Sequence, residues 1–342
     1  MSRVRILRAG LCSTVQDRGR RHLGYLGIPI SGAMDLLSHE LANRLVGNPG
    51  GAATVEMTLT GDEMEFVDDT LIAITGADMQ PVISHGQDFP QTVAQHCPIV
   101  VRSGGRIRFQ AARRGCRCYV AIAGGVDVPV VLGSRSTLLR AAFGGHSGRM
   151  LITGDELPIG DAFESSALLV KRLMRDARPA LPVLQPTWFV RPEELPNSNI
   201  ATLRMIPGSH TSLLTEAVRE NFQDISFVVS AQSDRMGFRL TGHRLTLTEH
   251  EELQSEGVTP GTIQLPSDGN PILLMADCAP TGGYPRVGHV ISADLGLAAQ
   301  LQPGQPVRFV TVSMEQAQLL FRQQRHRLDK SILGMELIED RS

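Results

Sequence analysis

Short apolar runs cut off by glycine and aspartate recur along this chain, and they constrain its architecture more than any other feature. Residues 70–77 and 118–126 are β-branched or apolar stretches bounded in this way; residues 227–229 and 272–275 read alike. Runs of that length suit buried strands, whereas helices need ten or more residues in a 3.6-residue period. The 34 glycines and 20 prolines, set against 4% aromatic residues, favour a turn-rich, mainly β protein with a few helices over a helical bundle. One helix is predicted where Met34, Leu37, Leu41 and Leu45 make a single apolar face, ended by Gly47-Asn48-Pro49-Gly50. A second is expected from about Thr211 through Leu214, Ala217 and Val218. A third should start after Ser313, with Gln316 completing a capping box.

At 342 residues the chain exceeds one ordinary core, since domains run to about 100–200 residues. Pro179, Pro182, Pro186, Pro192 and Pro196 crowd one stretch, and proline neither continues a helix nor donates to a ladder. The linker is therefore placed at 178–195. It separates an N-terminal β domain (1–185) from a C-terminal β domain (196–312), followed by a helix and tail (313–342). The two sides echo one another: Ser103-Gly104-Gly105-Arg106-Ile107-Arg108-Phe109 resembles Pro303-Gly304-Gln305-Pro306-Val307-Arg308-Phe309, each a tight turn running into a strand. Ser31-Gly32-Ala33-Met34-Asp35 and Ser233-Asp234-Arg235-Met236-Gly237 form a looser second pair.

Several function classes drop out. A formal net charge of −2 offers no basic field for a row of phosphates, so no nucleic-acid partner is expected. No apolar run reaches the ~18 residues of a membrane span, and no apolar segment follows the charged N-terminus as a secretory signal would require. Five scattered cysteines make a poor disulfide framework and suit a reducing, cytoplasmic setting. Cys116 and Cys118 lack a second pair, and none of the ten histidines forms H-x-x-H, so no metal site is expected. Lysine occurs only at Lys171 and Lys330, which excludes a P-loop and leaves no biotin-attachment lysine between methionines. No G-x-S-x-G elbow is present.

The residues able to carry chemistry fall into glycine-punctuated clusters. Near the start, Gln16, Asp17, Arg18 and Arg20 surround Gly19 and lead on to Ser31 and Asp35. Guanidinium groups here could hold a carboxylate or phosphate, or an Asp17 bridge to Arg18 or Arg20 could simply fix a turn. Gly124-Gly125-Val126-Asp127 precedes Gly133-Ser134-Arg135-Ser136-Thr137, which reads as an oxyanion loop or as a strand-to-turn connection with Asp127 capping its own backbone. Asp234, beside Arg235, and Glu256, ahead of Gln264, could divide acid and base roles, or be an ordinary turn and an exposed carboxylate. Asp277 is a third carboxylate candidate. Thr281-Gly282-Gly283-Tyr284-Pro285 offers open main chain, a ring and a phenol, or a plain β-turn.

In this order, these clusters resemble the KipA family, which includes the C subunit of 5-oxoprolinase, allophanate hydrolase subunit 2 and the matching half of the urea carboxylase carboxyltransferase domain. The likeness runs from about residue 10 to residue 309 and rests on segments 14–20, 27–35, 41–48, 124–137, 233–240, 255–264 and 281–285. It implies tandem cyclophilin-like β-barrels. It also implies a partner resembling KipI, the B subunit of 5-oxoprolinase, and cooperation with the A subunit of that enzyme. The complex would hold ATP, with or without Mg2+, and open 5-oxoproline to glutamate. On this resemblance Asp234, Glu256 and Tyr284 are the catalytic candidates. Gln16, Asp17, Arg18, Arg20, Ser31, Asp35, Arg135, Ser136, Arg235, Gln264, Asp277, Thr281, Gly282 and Gly283 are candidates for binding substrate or an anion. The same resemblance admits two alternatives: a carboxyltransferase half that uses biotin carried by another protein, or a non-catalytic KipI-binding regulatory module. One departure stands out. The family pattern has a glutamine just before Thr-Gly-Gly-Tyr-Pro, and here the run is Asp277-Cys278-Ala279-Pro280, which loses the amide and widens the pocket.

Overall fold

A computed structural model describes residues 2–86, 89–175, 183–191, 195, 200–248 and 253–341, the side chains of 336–341 aside. The linker expected at 178–195 therefore lies partly outside the described residues; within it, Val183–Leu184 forms a short strand paired with Val100 and Val101. The chain divides into two compact units: Met1–Gly19 with Asp35–Leu195 and Arg327–Ser342, and Arg20–Met34 with Pro196–His326.

In the first unit, the described strands form two six-stranded sheets. One runs in the order Glu156–Pro158, Arg3–Arg8, Glu63–Phe66, Gly105–Arg108, Val82–His85 and Gln91–Thr92. The other runs Val183–Leu184, Pro98–Val101, Thr70–Asp78, Arg114–Ile122, Thr54–Thr58 and Cys12–Gln16. Strands of the first sheet alternate: Val4 and Ile6 turn inward while Arg3 and Arg5 face out, and Ile107 is buried between exposed Arg106 and Arg108. Thr70–Asp78 and Arg114–Ile122 are instead buried on both faces. One face joins the core, where Ile72, Ile74, Val120 and Ile122 meet Val4, Ile6, Met64 and Phe66. The other is covered by the helix Leu36–Leu45, which packs on both strands and buries His39, Glu40, Leu41, Ala42, Asn43 and Leu45; Met34, expected on the same apolar face, precedes the helix and belongs to the core of the second unit. Double-sided burial is why these strands read as unbroken apolar runs.

The run expected at 118–126 stops four residues early, at Ile122, because Gly124 and Gly125 adopt φ of +89° and +74° and leave the ladder. A Cβ at Gly124 would lie 2.1 Å from the carbonyl oxygen of Gly160. Gly124→Ala is therefore expected to cost about 2 kcal/mol or more, combining left-handed strain with a backbone clash, as read by urea unfolding. A loss below about half a kcal/mol would show that the turn can re-form around a side chain.

The second unit closes into a seven-stranded barrel in the order Ala201–Pro207, Arg286–Val290, Thr262–Gln264, Ile272–Leu274, Gly237–Gly242, Ser226–Val229 and Pro306–Thr311. A parallel pairing of Ala201–Pro207 with Pro306–Thr311 completes the ring, and the other pairings are antiparallel. Closure removes the sheet edges that would otherwise expose unpaired main chain. Leu203, Phe227, Phe238, Leu240, Ile263, Leu273, Val307 and Phe309 fill its core, with Phe309 set 5.9 Å from Phe227 and 6.2 Å from Phe222.

The turn-and-strand echo is real in both units: Gly104 and Gly304 take φ of +78° and +84° just ahead of Gly105–Arg108 and Pro306–Thr311. The helix expected from Thr211 is split, a 3-10 turn over Thr211–Leu213 preceding an α-helix over Glu216–Asn221. The helix Met314–Arg341 opens on the expected capping box: the Ser313 hydroxyl accepts from Gln316 N–H at 3.2 Å, and Gln316 Oε1 accepts from Ser313 N–H at 2.9 Å.

Candidate functional site

Within the first unit, the polar residues that follow strand Cys12–Gln16 serve to hold loops. Gln16 is buried; its amide N–H groups donate to Thr14 Oγ1 and the Thr137 carbonyl, while its Oε1 has no partner among the described residues. Asp17 accepts from Ser134 Oγ at 2.6 Å, Ser136 Oγ at 2.5 Å, Arg135 N–H at 2.6 Å and Gly19 N–H at 2.8 Å. Burial pushes the Asp17 carboxyl up, but these hydrogen bonds outweigh it and hold the group below the ordinary carboxylate range. Asp17 thus ties the loop 134–136 to the end of the strand, in place of the local bridge to a neighbouring arginine that the sequence suggests. Arg18 turns to Glu40 at 3.1 Å and lies against Gly50 and Gly51, where a Cβ would crowd it.

Arg135 pairs with Asp127 at 2.8 Å and donates to the Val128 carbonyl, so Asp127 does not merely cap its own turn. Asp35 is an N-cap: it accepts from Ser38 N–H and Oγ at 3.0 and 2.7 Å. Its own N–H donates to the Tyr119 hydroxyl, which donates to buried Glu56. Burial pushes the thiols of Cys116 and Cys118 up.

Within the second unit, the expected residues come together in two groups. The first is a buried ion pair. Arg235 Nε and Nη2 grip Asp277 at 2.9 and 3.0 Å, and Nη2 also donates to the Gly32 carbonyl. Ser31, at φ +58°, donates to Asp277 Oδ1 at 2.8 Å through its hydroxyl and to the Ala276 carbonyl through its N–H. The two segments that look alike in sequence therefore meet, Gly32 against Arg235. Buried Arg20 donates its N–H to the Ile30 carbonyl at 2.6 Å, closing the loop that carries Ser31.

The second group is a small ribbon on the barrel. Strand Glu256–Gly257 pairs with Thr281–Gly282, Glu256 opposite Gly282. The Glu256 carboxylate is ion-paired with Arg286. Gln264 is 5% exposed, and its Nε2 has no partner among the described residues. That amide lies so close beneath the ribbon that a Cβ at Gly282 would sit 2.4 Å from it, which explains the glycine. Gly283 is similarly closed in: a Cβ there would meet the Leu253 carbonyl at 3.3 Å. Tyr284 is half exposed. Asp234 is engaged elsewhere, accepting from the N–H groups of Met236 and Gly237 in its own turn.

Two residues that the sequence does not single out border the ribbon. Arg286 is one. The other is His210, whose Nδ1 accepts from Arg286 N–H at 3.1 Å, which leaves its ring proton on Nε2. Burial first, then the Arg286 charge, hold this imidazole below its ordinary range, so it is neutral at neutral pH. No local pattern announces either residue, since their placement depends on barrel pairing across 76 positions. A paired carboxylate, a neutral imidazole, an exposed phenol and a buried amide form a set able to bind an amide and move a proton at its nitrogen.

Residues 26–311 match the family model of the carboxyltransferase domain, subdomain A and B. The chain is 38% identical over 314 residues to the C subunit of 5-oxoprolinase from Escherichia coli, covering 92% of this chain and 93% of that protein. It is 31% identical over 318 residues to the C subunit of 5-oxoprolinase from Haemophilus influenzae, with 93% and 94% covered. Among solved structures, the urea carboxylase of Kluyveromyces lactis superposes with a TM-score of 0.82 at 29% identity, over 96% of this chain but only 29% of that longer one.

Proposed function

This chain belongs to the carboxyltransferase-domain family, subdomains A and B, and from that premise we propose that it is the C-type subunit of an ATP-dependent, 5-oxoprolinase-type hydrolase. The observation that carries this reading is the nearly end-to-end match, over more than nine-tenths of both chains, to proteins named as the C subunit of 5-oxoprolinase. The chain works in a cytoplasmic heteromer, with a KipI-like protein of the B type as its direct partner and a protein of the A type as the third component. The reaction opens the stable lactam of 5-oxoproline to glutamate, and ATP held by the complex supplies the activation this amide needs. Arg18, Arg135, Arg235 and Arg286 are each engaged with a carboxylate of this chain. That argues against a triphosphate cradle on these arginines and favours nucleotide on a partner. The contribution assigned to this chain is the ribbon: Gln264 orients the lactam, and Glu256 and Tyr284 handle the proton at its nitrogen.

The Kluyveromyces lactis match favours a second reading, a carboxyltransferase half served by biotin on another protein. The two separate in the complex purified with its partner proteins. The first reading expects ATP consumption stimulated by 5-oxoproline, unmoved by urea and insensitive to avidin; urea-dependent, avidin-sensitive turnover would install the second. A complex that binds its partners but is indifferent to Tyr284→Phe would leave this chain a regulatory module.

A further inference from the structure

Arg286 ties the ribbon to the barrel, and an imidazole in turn holds Arg286. This residue opens the strand Arg286–Val290; its guanidinium pairs with Glu256 and donates to the Gly257 carbonyl at 3.3 Å. Its main chain is clamped at both polar groups by the turn 208–211. The Arg286 carbonyl accepts from His210 N–H at 3.0 Å, and Arg286 N–H donates to His210 Nδ1 at 3.1 Å. The turn is itself pinned to the strand. The Thr211 hydroxyl sits 2.8 Å from the Gly208 carbonyl and 2.9 Å from the Val287 carbonyl. Gly208 passes so close that a Cβ there would lie 2.2 Å from the Arg286 carbonyl oxygen. Tyr284 precedes Arg286 by two residues, and the Pro285 carbonyl between them accepts from Leu265 N–H at 2.9 Å. The clamp on Arg286 therefore reaches Glu256 through the guanidinium and Tyr284 through the main chain.

An amide N–H can only donate, so the clamp needs a lone pair on His210 Nδ1. The Ser209 hydroxyl stands 3.2 Å from the same nitrogen and can donate to it as well. A proton on Nδ1 would set two N–H groups against each other and leave Arg286 N–H without its acceptor. The charges around the turn do not favour a further cation. Arg286 is in direct contact, Arg219 of the helix Glu216–Asn221 reaches the Ser212 carbonyl at 3.0 Å, and the Glu256 carboxylate is already engaged by Arg286. Desolvation first, and the Arg286 charge second, hold the imidazole below its ordinary range. The folded chain thus resists the proton: the clamp is complete above the unfolded value of about 6.5 and is lost as pH falls through the lower folded value.

We infer that His210 is a positioning residue: its neutral imidazole holds the Arg286 main chain so that Glu256 and Tyr284 keep their places, and a proton on Nδ1 lets the ribbon go. That the ribbon is the working part of this chain rests on the functional reading above; the clamp does not. The test therefore uses the full chain alone, by amide hydrogen exchange and by NMR of the His210 ring nitrogens. Arg286 N–H, and Val258 N–H, which donates to the Pro280 carbonyl across the ribbon, report the clamp; Leu240 N–H, bonded to the Pro271 carbonyl, reports the barrel. From about pH 7.5 to about pH 4.5 the protection factors of Arg286 and Val258 should fall at least about tenfold, in step with protonation of Nδ1, while that of Leu240 holds. His210→Asn keeps an acceptor near the Nδ1 position that does not titrate, and should stay protected at both ends of this range. His210→Leu should show the low protection at both; if it fails to fold, the parent and His210→Asn decide. Ribbon protection that ignores His210 protonation, a His210→Leu chain as protected as the parent, or a His210→Asn chain that opens in acid as the parent does overturns the inference. In the complex purified with its partners, His210→Asn should move the acid limb of glutamate release to lower pH. A clamp that behaves as expected in a complex that leaves 5-oxoproline intact would sink the functional reading and leave the clamp standing.

Discussion

Arg235→Met is expected to destabilise the barrel unit by about 3–5 kcal/mol, read from urea unfolding followed by circular dichroism. The reason is Asp277, which is 5% exposed and gripped twice by this guanidinium. Removing the cation leaves a buried carboxylate with Ser31 as its remaining side-chain donor and strips the Gly32 carbonyl of its bond from Arg235. A buried pair is worth far less as a unit than either half costs when orphaned. The double change Arg235→Met with Asp277→Leu should therefore recover at least half of the loss, because apolar groups of similar size fill the space without an unmatched charge. A single variant as stable as the parent would mean that Asp277 reaches water or another cation.

Asp17→Ala should cost about 3 kcal/mol, the second-largest effect, because it strands donors from Ser134, Ser136, Arg135 and Gly19 at once. Its pH dependence has a definite sign. The folded protein holds the Asp17 carboxyl below its ordinary value, so the contribution is complete above the unfolded value of ~3.9 and is lost as pH falls through the lower folded value. The gap between parent and variant should be flat from about pH 5 upward and narrow in acid. A gap that widens in acid would reverse the assignment and make Asp17 a group whose charge the fold resists.

Much of this architecture is written locally. The capping box at Ser313 and Gln316 needs four residues to specify it, and the apolar stripe through Leu41 and Leu45 needs three turns. Both are legible without a fold. Strand ends are less so: the apolar character of 118–126 continues past Ile122, while glycine conformation, which composition does not record, ends the ladder. The barrel expected in both halves closes in the second; the described strands of the first form two sheets, a difference of edge pairing that no single strand encodes.

The polar clusters are visible in the sequence as clusters, but their partners are not. Asp17 finds Ser136 across 119 positions, and Ser31 finds Asp277 across 246. Sequence neighbours such as Arg18 and Arg20 look like the natural partners because long-range pairing leaves no local trace. Asp35 shows the same limit from the other side. An acidic residue beside a glycine loop reads as a ligand until the helix start it caps is in place. Gln264 and Gly282 stand apart in the sequence, and the barrel gives the reason they belong together: the ribbon passes directly over the amide.

The central claim is that this chain is a necessary part of a lactam-opening complex. It is tested most directly by measuring glutamate formed from 5-oxoproline by the partner proteins with and without the chain. The account predicts ATP-coupled glutamate release when the chain is present and none above background when it is left out. Equal release without it, or a fully assembled complex that leaves 5-oxoproline intact, would contradict the claim.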